Sequence, residues 1–162
     1  MKIKEGLVYH LKDEYFELTG DYGVKRKPDN GKSFPAYCCR KDDTSGLLWM
    51  IPMSTKIEKY EAVAEKELRK FGRCFSIVFG TFDARAVVFQ VQETFPVLKK
   101  HILKPHTRKG GIVRVDPALQ EIIRYNFDKL MELYYEGINC VLTDIDGVKQ
   151  LICSKEEAEY AE

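Results

Sequence analysis

The chain has 162 residues, of which 44% are hydrophobic and 31% are charged, a composition typical of a globular domain that can bury a proper core. Its net charge of +1 gives no global electrostatic reason to bind nucleic acid, so such a function would need local clusters of charge. The first residues are charged and the apolar runs are short, so we expect neither a signal peptide nor a membrane-spanning segment. The five cysteines form no C-x-x-C pattern, which argues against a disulfide framework or a zinc site and favours the reducing cytoplasm. We therefore expect one domain over residues 1–162, without metal or cofactor.

The first third of the chain predicts three strands, over 6–11, 34–40 and 46–53, because these runs are short, apolar and bounded by turn residues. Residues 20–31 predict a long loop, which is a common place for function. The turn formers at 41–46 predict a hairpin between the second and third strands.

A helix is predicted over 57–71, since apolar residues recur there at spacings of three and four and Gly72 follows as a stop. Thr55 and Glu58 have the spacing of a capping box for this helix. Two further strands are predicted over 74–79 and 86–92.

In the last third, residues 99–104 predict a short helix and 110–115 predict a strand. A long helix is predicted over 117–136, with Asp116 as its cap, Pro117 in the first position and Gly137 as its stop. A capping box of Ser154 and Glu157 predicts a terminal helix. The whole pattern indicates an α+β domain with a small, strongly curved antiparallel sheet or barrel and with inserted and appended helices.

The end of the third strand carries the clearest chemical signal, the triplet Ser54, Thr55 and Lys56. Two hydroxyls and an ammonium group lie where a strand meets a helix start, and main-chain N–H groups and the helix dipole favour an anion there. The structural alternative is that Thr55 simply caps the helix. The two interpretations are compatible.

The interval between Glu93 and Asp116 has no acidic residue, although the chain as a whole has balanced charge. Its basic residues predict a contact surface for the phosphate backbone of a nucleic acid, whereas the alternative is a solvated basic face. A second basic group lies in the predicted loop and favours an extended polyanion as the partner. The candidate residues for this contact are Lys25, Arg26, Lys27, Lys99, Lys100, Lys104, His106, Arg108, Lys109 and Arg114.

The three histidines do not have the spacing of a helical metal site, and no serine-hydrolase, Walker or dinucleotide motif occurs. His10 lies among apolar residues of the first predicted strand, which is typical of a core or edge histidine; the alternative is an acid or base, although nothing in the sequence connects it to the triplet. Tyr22, Phe34 and Tyr37 are candidates for stacking on RNA bases.

The order of elements, with Lys32 before the second strand and Ser54, Thr55 and Lys56 after the third, resembles the ToxN/AbiQ endoribonuclease toxins of bacterial type III toxin–antitoxin systems, most nearly their CptN-type branch. The resemblance implies a MazF/Kid-like fold, that is, an SH3-like barrel with added helices. It implies metal-independent cleavage of cellular or phage RNA, growth inhibition and phage defence. The implied partner is a repeated, pseudoknotted antitoxin RNA that inhibits the toxin in a closed protein–RNA hetero-oligomer.

The resemblance also implies catalytic roles for Lys32, Ser54, Thr55 and Lys56. Better-known members have an extra residue between the second hydroxyl and the lysine, and its absence here leaves open which hydroxyl contacts the scissile phosphate. Attack by the ribose 2′-OH would leave a 2′,3′-cyclic phosphate and a 5′-OH. Lys56 would stabilise the developing charge, and Lys32 would assist proton transfer or bind the phosphate.

Two other functions fit the same residues. A non-catalytic RNA-binding barrel would use the basic clusters and reduce the triplet to a phosphate contact. A protein-interaction module would leave all charge clusters as solvated faces.

Overall fold

A computed structural model of the chain describes residues 1–24 and 34–161, with side chains for 1–24 and 35–153. The strands of the described chain are β1 (Val8–Leu11), β2 (Phe34–Lys41), β3 (Leu48–Ser54), β4 (Val78–Phe82), β5 (Arg85–Phe89), β6 (Phe95–Val97), β7 (Ile102–Pro105), β8 (Thr107–Arg108) and β9 (Gly111–Ile112). Its α-helices are α1 (Asp13–Thr19), α2 (Ile57–Phe71), α3 (Pro117–Tyr135) and α4 (Ile145–Ala161). Short 3₁₀ turns lie at Gly20–Tyr22, Val91–Glu93 and Lys99–His101.

Seven strands form one antiparallel sheet in the order β4-β5-β3-β2-β1-β7, with β6 added alongside β3. β3 is the central strand and changes partner along its length. Its first half, from Leu48 to Met50, pairs with β6, whereas Met53 and Ser54 pair with β5. Because β3 is buried on both faces, its sequence is an almost continuous apolar run.

The predicted α+β class is confirmed, but the described strands do not close into a barrel. The outer strands of the order, β4 and β7, do not pair with each other, and neither do β6 and β7. Among the described strands, β7 pairs only with β1, and the β4–β5 hairpin pairs only with the end of β3, so the sheet ends in two separate edges. The SH3-like or MazF/Kid-like detail stays a prediction.

Two main cores lie on opposite faces of the β1–β2–β3 region. The first contains Leu11, Met50 and Val97, and α1 and α4 cover it with Tyr15 and Ile152. The second is covered by α3 and lies against β4 and β5; its members include Val8, Ile51, Phe89, Ile123 and Phe127. A smaller cluster of Tyr60, Ile77 and Val88 anchors α2 on the other side of β5.

Several predicted elements are confirmed. The 41–46 hairpin joins β2 and β3, and the Asp42 carboxylate accepts a hydrogen bond from the Thr44 N–H at 3.0 Å. Helix α2 ends at Gly72, whose φ of 72° is left-handed. Helix α3 begins after Asp116, whose carboxylate accepts a hydrogen bond from the Leu119 N–H.

Other predicted elements are wrong in kind or extent. Residues 99–104 form a 3₁₀ turn and then strand β7, because Ile102 pairs with Leu11 of β1. The 110–115 strand shrinks to β9, and the 74–79 strand begins only at Val78. Ser154 lies inside α4, so the predicted capping box with Glu157 is wrong; Asp144 instead accepts a hydrogen bond from the Gly147 N–H at the helix start. Helix α1 was not predicted, since seven residues are too few to show a helical period.

Across residues 1–24 and 34–161, no helix is both long and apolar enough to cross a bilayer.

Candidate functional site

The junction between β3 and α2 is built around Ser54. Its side chain is only 2% exposed, and its Oγ accepts a hydrogen bond from the Lys56 N–H at 3.1 Å. The Thr55 carbonyl accepts a second hydrogen bond from the Ile57 N–H at 2.9 Å. These two bonds hold the compact turn that redirects the chain from the sheet into the helix.

Thr55 and Lys56 are both exposed at this turn. Lys56, not Thr55, is the N-cap residue of α2, and its side chain makes no capping hydrogen bond, so the predicted capping box of Thr55 and Glu58 is wrong. The reason is that β3 continues to Ser54, which moves the helix start one residue beyond Thr55. An exposed hydroxyl and an exposed ammonium group therefore stand together at the positive end of a 15-residue helix, although Glu58 in the first turn opposes an anion there.

The other predicted catalytic residue, Lys32, lies outside the described residues. The same holds for Lys25, Arg26 and Lys27, the basic group of the predicted loop.

The basic residues between Glu93 and Asp116 lie in two separate parts of the structure. Lys99 lines a surface cavity beside Lys2 and Lys41, and Lys100 follows it in the same 3₁₀ turn. Lys104 is exposed on β7, where it pairs with His10 of β1. Farther along, the exposed residues Arg108, Lys109 and Arg114 lie in or after the β8–β9 hairpin.

His106 belongs to a hydrogen-bonded series of side chains, His10–His106–Asp83–Arg108, which the sequence did not predict. His106 Nδ1 lies 2.9 Å from His10 Nε2, and the two rings stack with centroids 5.1 Å apart. His106 Nε2 lies 3.1 Å from Asp83 Oδ2, and Arg108 donates to Asp83 Oδ1 at 3.1 Å. The hydrogen bond with His106, followed by that from Arg108, lowers the pKa of the Asp83 carboxyl below its ordinary value.

The sequence did not identify Asp83 as a member of this hydrogen-bonded series. It occupies the tight turn between β4 and β5, where its φ is 50°. Because His106 directly follows β7, the Asp83–His106 contact connects the hairpin of one outer strand to the end of the other. This side-chain contact therefore connects the β4–β5 hairpin to the end of β7, although β4 and β7 do not pair through their backbones. No local signal marks this contact, since 96 residues separate His10 from His106 and 23 separate Asp83 from His106.

An aromatic cluster with cationic neighbours lies between the start of β4 and helix α3. Phe75 and the exposed Tyr125 make an edge contact at 6.1 Å. The Arg73 guanidinium lies 5.1 Å from the centre of the Phe75 ring, and Lys129 Nζ lies 5.7 Å from that of Tyr125. Such a cluster can stack RNA bases and attract their phosphates.

The aromatic residues proposed from sequence for stacking are less suitable. Tyr37 is 2% exposed in the second core, so its prediction is wrong. Tyr22 packs in the first core, close to Gly147. The Phe34 side chain lies outside the description.

No protein-family model matches the chain, and no curated protein matches it in sequence. Solved structures do match its fold. ToxN, from a bacterial antiviral system that a processed non-coding RNA regulates, superposes with a TM-score of 0.61 at 11% identity, over 89% of this chain and 95% of that chain. AbiQ, a lactococcal anti-phage endoribonuclease of the type III toxin–antitoxin system, superposes with a TM-score of 0.59 at 13% identity, over 96% and 98% of the two chains. The chain therefore has the fold of these proteins, which confirms the predicted resemblance in fold.

Proposed function

We propose that this protein is an endoribonuclease toxin of a type III toxin–antitoxin system, acting on cellular or phage RNA in the cytoplasm. The observation that carries the proposal is the match of nearly the whole chain to the folds of ToxN and AbiQ. The exposed Thr55 and Lys56 at the start of α2 supply a chemically suitable phosphate site within that fold. We propose further that a repeated, pseudoknotted antitoxin RNA inhibits the protein in a closed assembly.

The proposed reaction is metal-independent, because RNA contains its own nucleophile. The ribose 2′-OH attacks the adjacent phosphorus, the P–O5′ bond breaks, and a 2′,3′-cyclic phosphate and a 5′-OH remain. The protein orients the attack in line and stabilises the extra negative charge on the phosphorane.

The surroundings of the two hydroxyls favour Thr55 as the phosphate contact. The buried Ser54 Oγ already holds the turn, whereas Thr55 is exposed beside Lys56. We assign Thr55 as the hydrogen-bond donor to the scissile phosphate, Lys56 as the cation that stabilises its developing charge, and Ser54 as the residue that positions both. Lys32 is proposed as a second phosphate-binding or proton-transferring group.

RNA outside the scissile phosphate would contact the basic residues near β7 and the β8–β9 hairpin and the Phe75–Tyr125 cluster. Lys104, Lys109 and Arg114 are exposed there. Arg108 is shared with Asp83, so its contribution to phosphate binding is smaller than its charge suggests. Lys25, Arg26 and Lys27 are proposed as a further group of RNA-binding residues.

Single substitutions at the junction test the proposal. We expect Lys56→Ala and Thr55→Ala each to lower the rate of RNA cleavage by about 10²- to 10³-fold, since each removes a group that stabilises the transition state. Growth inhibition on induced expression should fall accordingly. Analysis of the RNA ends should find cyclic phosphates with the wild-type protein.

Matched controls are Lys66→Ala, an exposed lysine farther along α2, and Thr44→Ala, an exposed threonine in the β2–β3 hairpin. Both should retain wild-type cleavage. Full toxicity of the Thr55 and Lys56 variants would remove the proposed site. Binding of RNA without any cleavage would instead favour the non-catalytic RNA-binding alternative.

A further inference from the structure

The polar chain His10–His106–Asp83 has the geometry of a proton relay. Its two inner contacts are 2.9 and 3.1 Å long, which is ordinary hydrogen-bond distance. All three groups are reachable from solvent, since His10 is half-buried and the side chains of His106 and Asp83 are 22% and 26% exposed. A purely structural polar cluster of the core would be closed to solvent.

The two hydrogen bonds restrict where protons can lie. Asp83 accepts, so His106 carries a proton on Nε2, and one further proton lies between His106 Nδ1 and His10 Nε2. With both bonds kept, the proton that the pair gains or loses lies on His10 Nδ1. The carboxylate of Asp83 orients the His106 ring through its hydrogen bond to Nε2, as a carboxylate does for a catalytic imidazole.

The relay lies at the same end of the sheet as the phosphate site. His10 pairs with Pro35 on β2, the next residue Ala36 pairs with Pro52 on β3, and Ser54 lies two residues beyond Pro52. His10 and the end of β3 are thus separated by a single strand, which corresponds to roughly 10 Å across the sheet.

The charged and titratable groups around the pair come from each neighbouring element. Lys104 pairs with His10 on β7, Asp83 faces His106 from the β4–β5 turn, and Arg108 contacts Asp83 from β8. The Phe82 ring lies against His106 with centroids 5.3 Å apart, and Pro35 is the neighbour on β2. The described surroundings of the pair thus contain Lys104, Arg108 and the Asp83 carboxylate, and an RNA phosphate can approach on the side of the two cations.

We propose that His10 is the general base of RNA cleavage and that His106 and Asp83 are positioning residues that orient it. In this step His10 takes the proton of the attacking 2′-OH, the O2′–P bond forms, and the P–O5′ bond breaks. The departing O5′ receives a proton from solvent water, and His10 later returns its proton to solvent. The inference rests on the proposed endoribonuclease function and names a residue that acts in it.

The test is a single-turnover rate profile between pH 5 and 9, with excess protein and a 5′-labelled messenger-RNA transcript as the probe. The wild-type rate should rise with pH as the imidazole loses its proton. His10→Gln should lower the rate by about 10²- to 10⁴-fold and abolish this rise. Asp83→Asn should retain more activity than His10→Gln but change the pH dependence of the rate, since His106 loses the carboxylate that orients it.

Asp43→Asn, an exposed carboxylate in the β2–β3 hairpin, is the matched control and should leave the profile unchanged. Lys56→Ala should lower the rate at every pH without moving the midpoint, which separates the two sites. Cleavage that requires Lys56 but keeps its rate and pH dependence in His10→Gln would overturn the inference alone. Absence of any cleavage by the wild-type protein would overturn both the proposed function and the role of His10.

Folding of the variants is checked by their thermal midpoints. If His10→Gln does not fold, the Asp83→Asn variant still tests the proposal, because the Asp83 side chain lies on a hairpin turn at the surface. A lower rate at all pH values with an unmoved midpoint would reduce Asp83 to a structural residue and contradict the relay.

Discussion

Ser54 and Thr55 are adjacent hydroxyl residues with different surroundings. Ser54 is buried at the end of β3 and accepts the hydrogen bond of the Lys56 N–H, whereas Thr55 is exposed. A side chain that is needed to form the turn and one that is available to a ligand should respond differently to the same substitution. Substituting each residue in turn therefore separates the structural role of Ser54 from the proposed chemical role of Thr55.

We expect Ser54→Ala to lower the free energy of unfolding by about 1–2 kcal/mol, because a partly buried N–H loses its acceptor. Thr55→Ala should change it by less than about 0.5 kcal/mol, as is usual for exposed positions. Urea denaturation measures both values, and the cleavage assay then shows which loss of activity is independent of stability. A stable Ser54 variant together with a destabilised Thr55 variant would reverse our assignment of the two hydroxyls.

At the scale of elements, helix α3 packs into the core with one face and carries an exposed aromatic side chain on another. Ile123 and Phe127 pack into the second core, while Tyr125 remains 57% exposed and contacts Phe75 near the start of β4. Because Arg73 and Lys129 lie over these rings, the cluster joins two elements into one surface suited to single-stranded RNA.

Tyr125→Ala should weaken RNA binding by about 1–3 kcal/mol, the usual contribution of one base stacked on an aromatic ring. Tyr135→Ala is the matched control, since Tyr135 is 65% exposed at the end of the same helix and contacts only the ring of Tyr134 among the aromatic pairs of the described chain. Fluorescence anisotropy with a labelled single-stranded RNA measures both. Equal affinities for the two variants would exclude the cluster from RNA binding.

At the scale of the whole molecule, a net charge of +1 means that RNA binding depends on where the charges lie. Lys104, Lys109 and Arg114 are exposed, while Arg108 is paired with Asp83. We therefore expect the basic residues between Glu93 and Asp116 to contribute unequally to the proposed RNA binding.

Lys109→Ala should weaken binding to unrelated RNA sequences alike and reduce the slope of log affinity against log salt by about 0.7, the value for one phosphate contact with a single strand. Lys66→Ala on α2 should leave the slope unchanged. Titrations at several salt concentrations provide the slopes. An unaltered slope for Lys109→Ala would support the solvated-face interpretation of this segment.

The sequence by itself determined features that depend on a few neighbouring residues. The stop at Gly72, the start of α3 at Asp116 and the 41–46 hairpin were predictable because their hydrogen bonds or backbone angles are local. The same local reasoning was wrong for the capping box of Thr55 and Glu58, since pairing with β5 extends β3 to Ser54 and displaces the helix start.

The tertiary structure alone decided the contacts between residues far apart in the chain. It decided that the described strands form an open sheet in which β3 pairs first with β6 and then with β5, and it brought the side chains of His10, His106 and Asp83 together. Such contacts depend on the curvature and register of several strands, which no short stretch of sequence specifies. The triplet of Ser54, Thr55 and Lys56 was visible in the sequence, while its neighbouring proton relay became visible only when the fold joined its members.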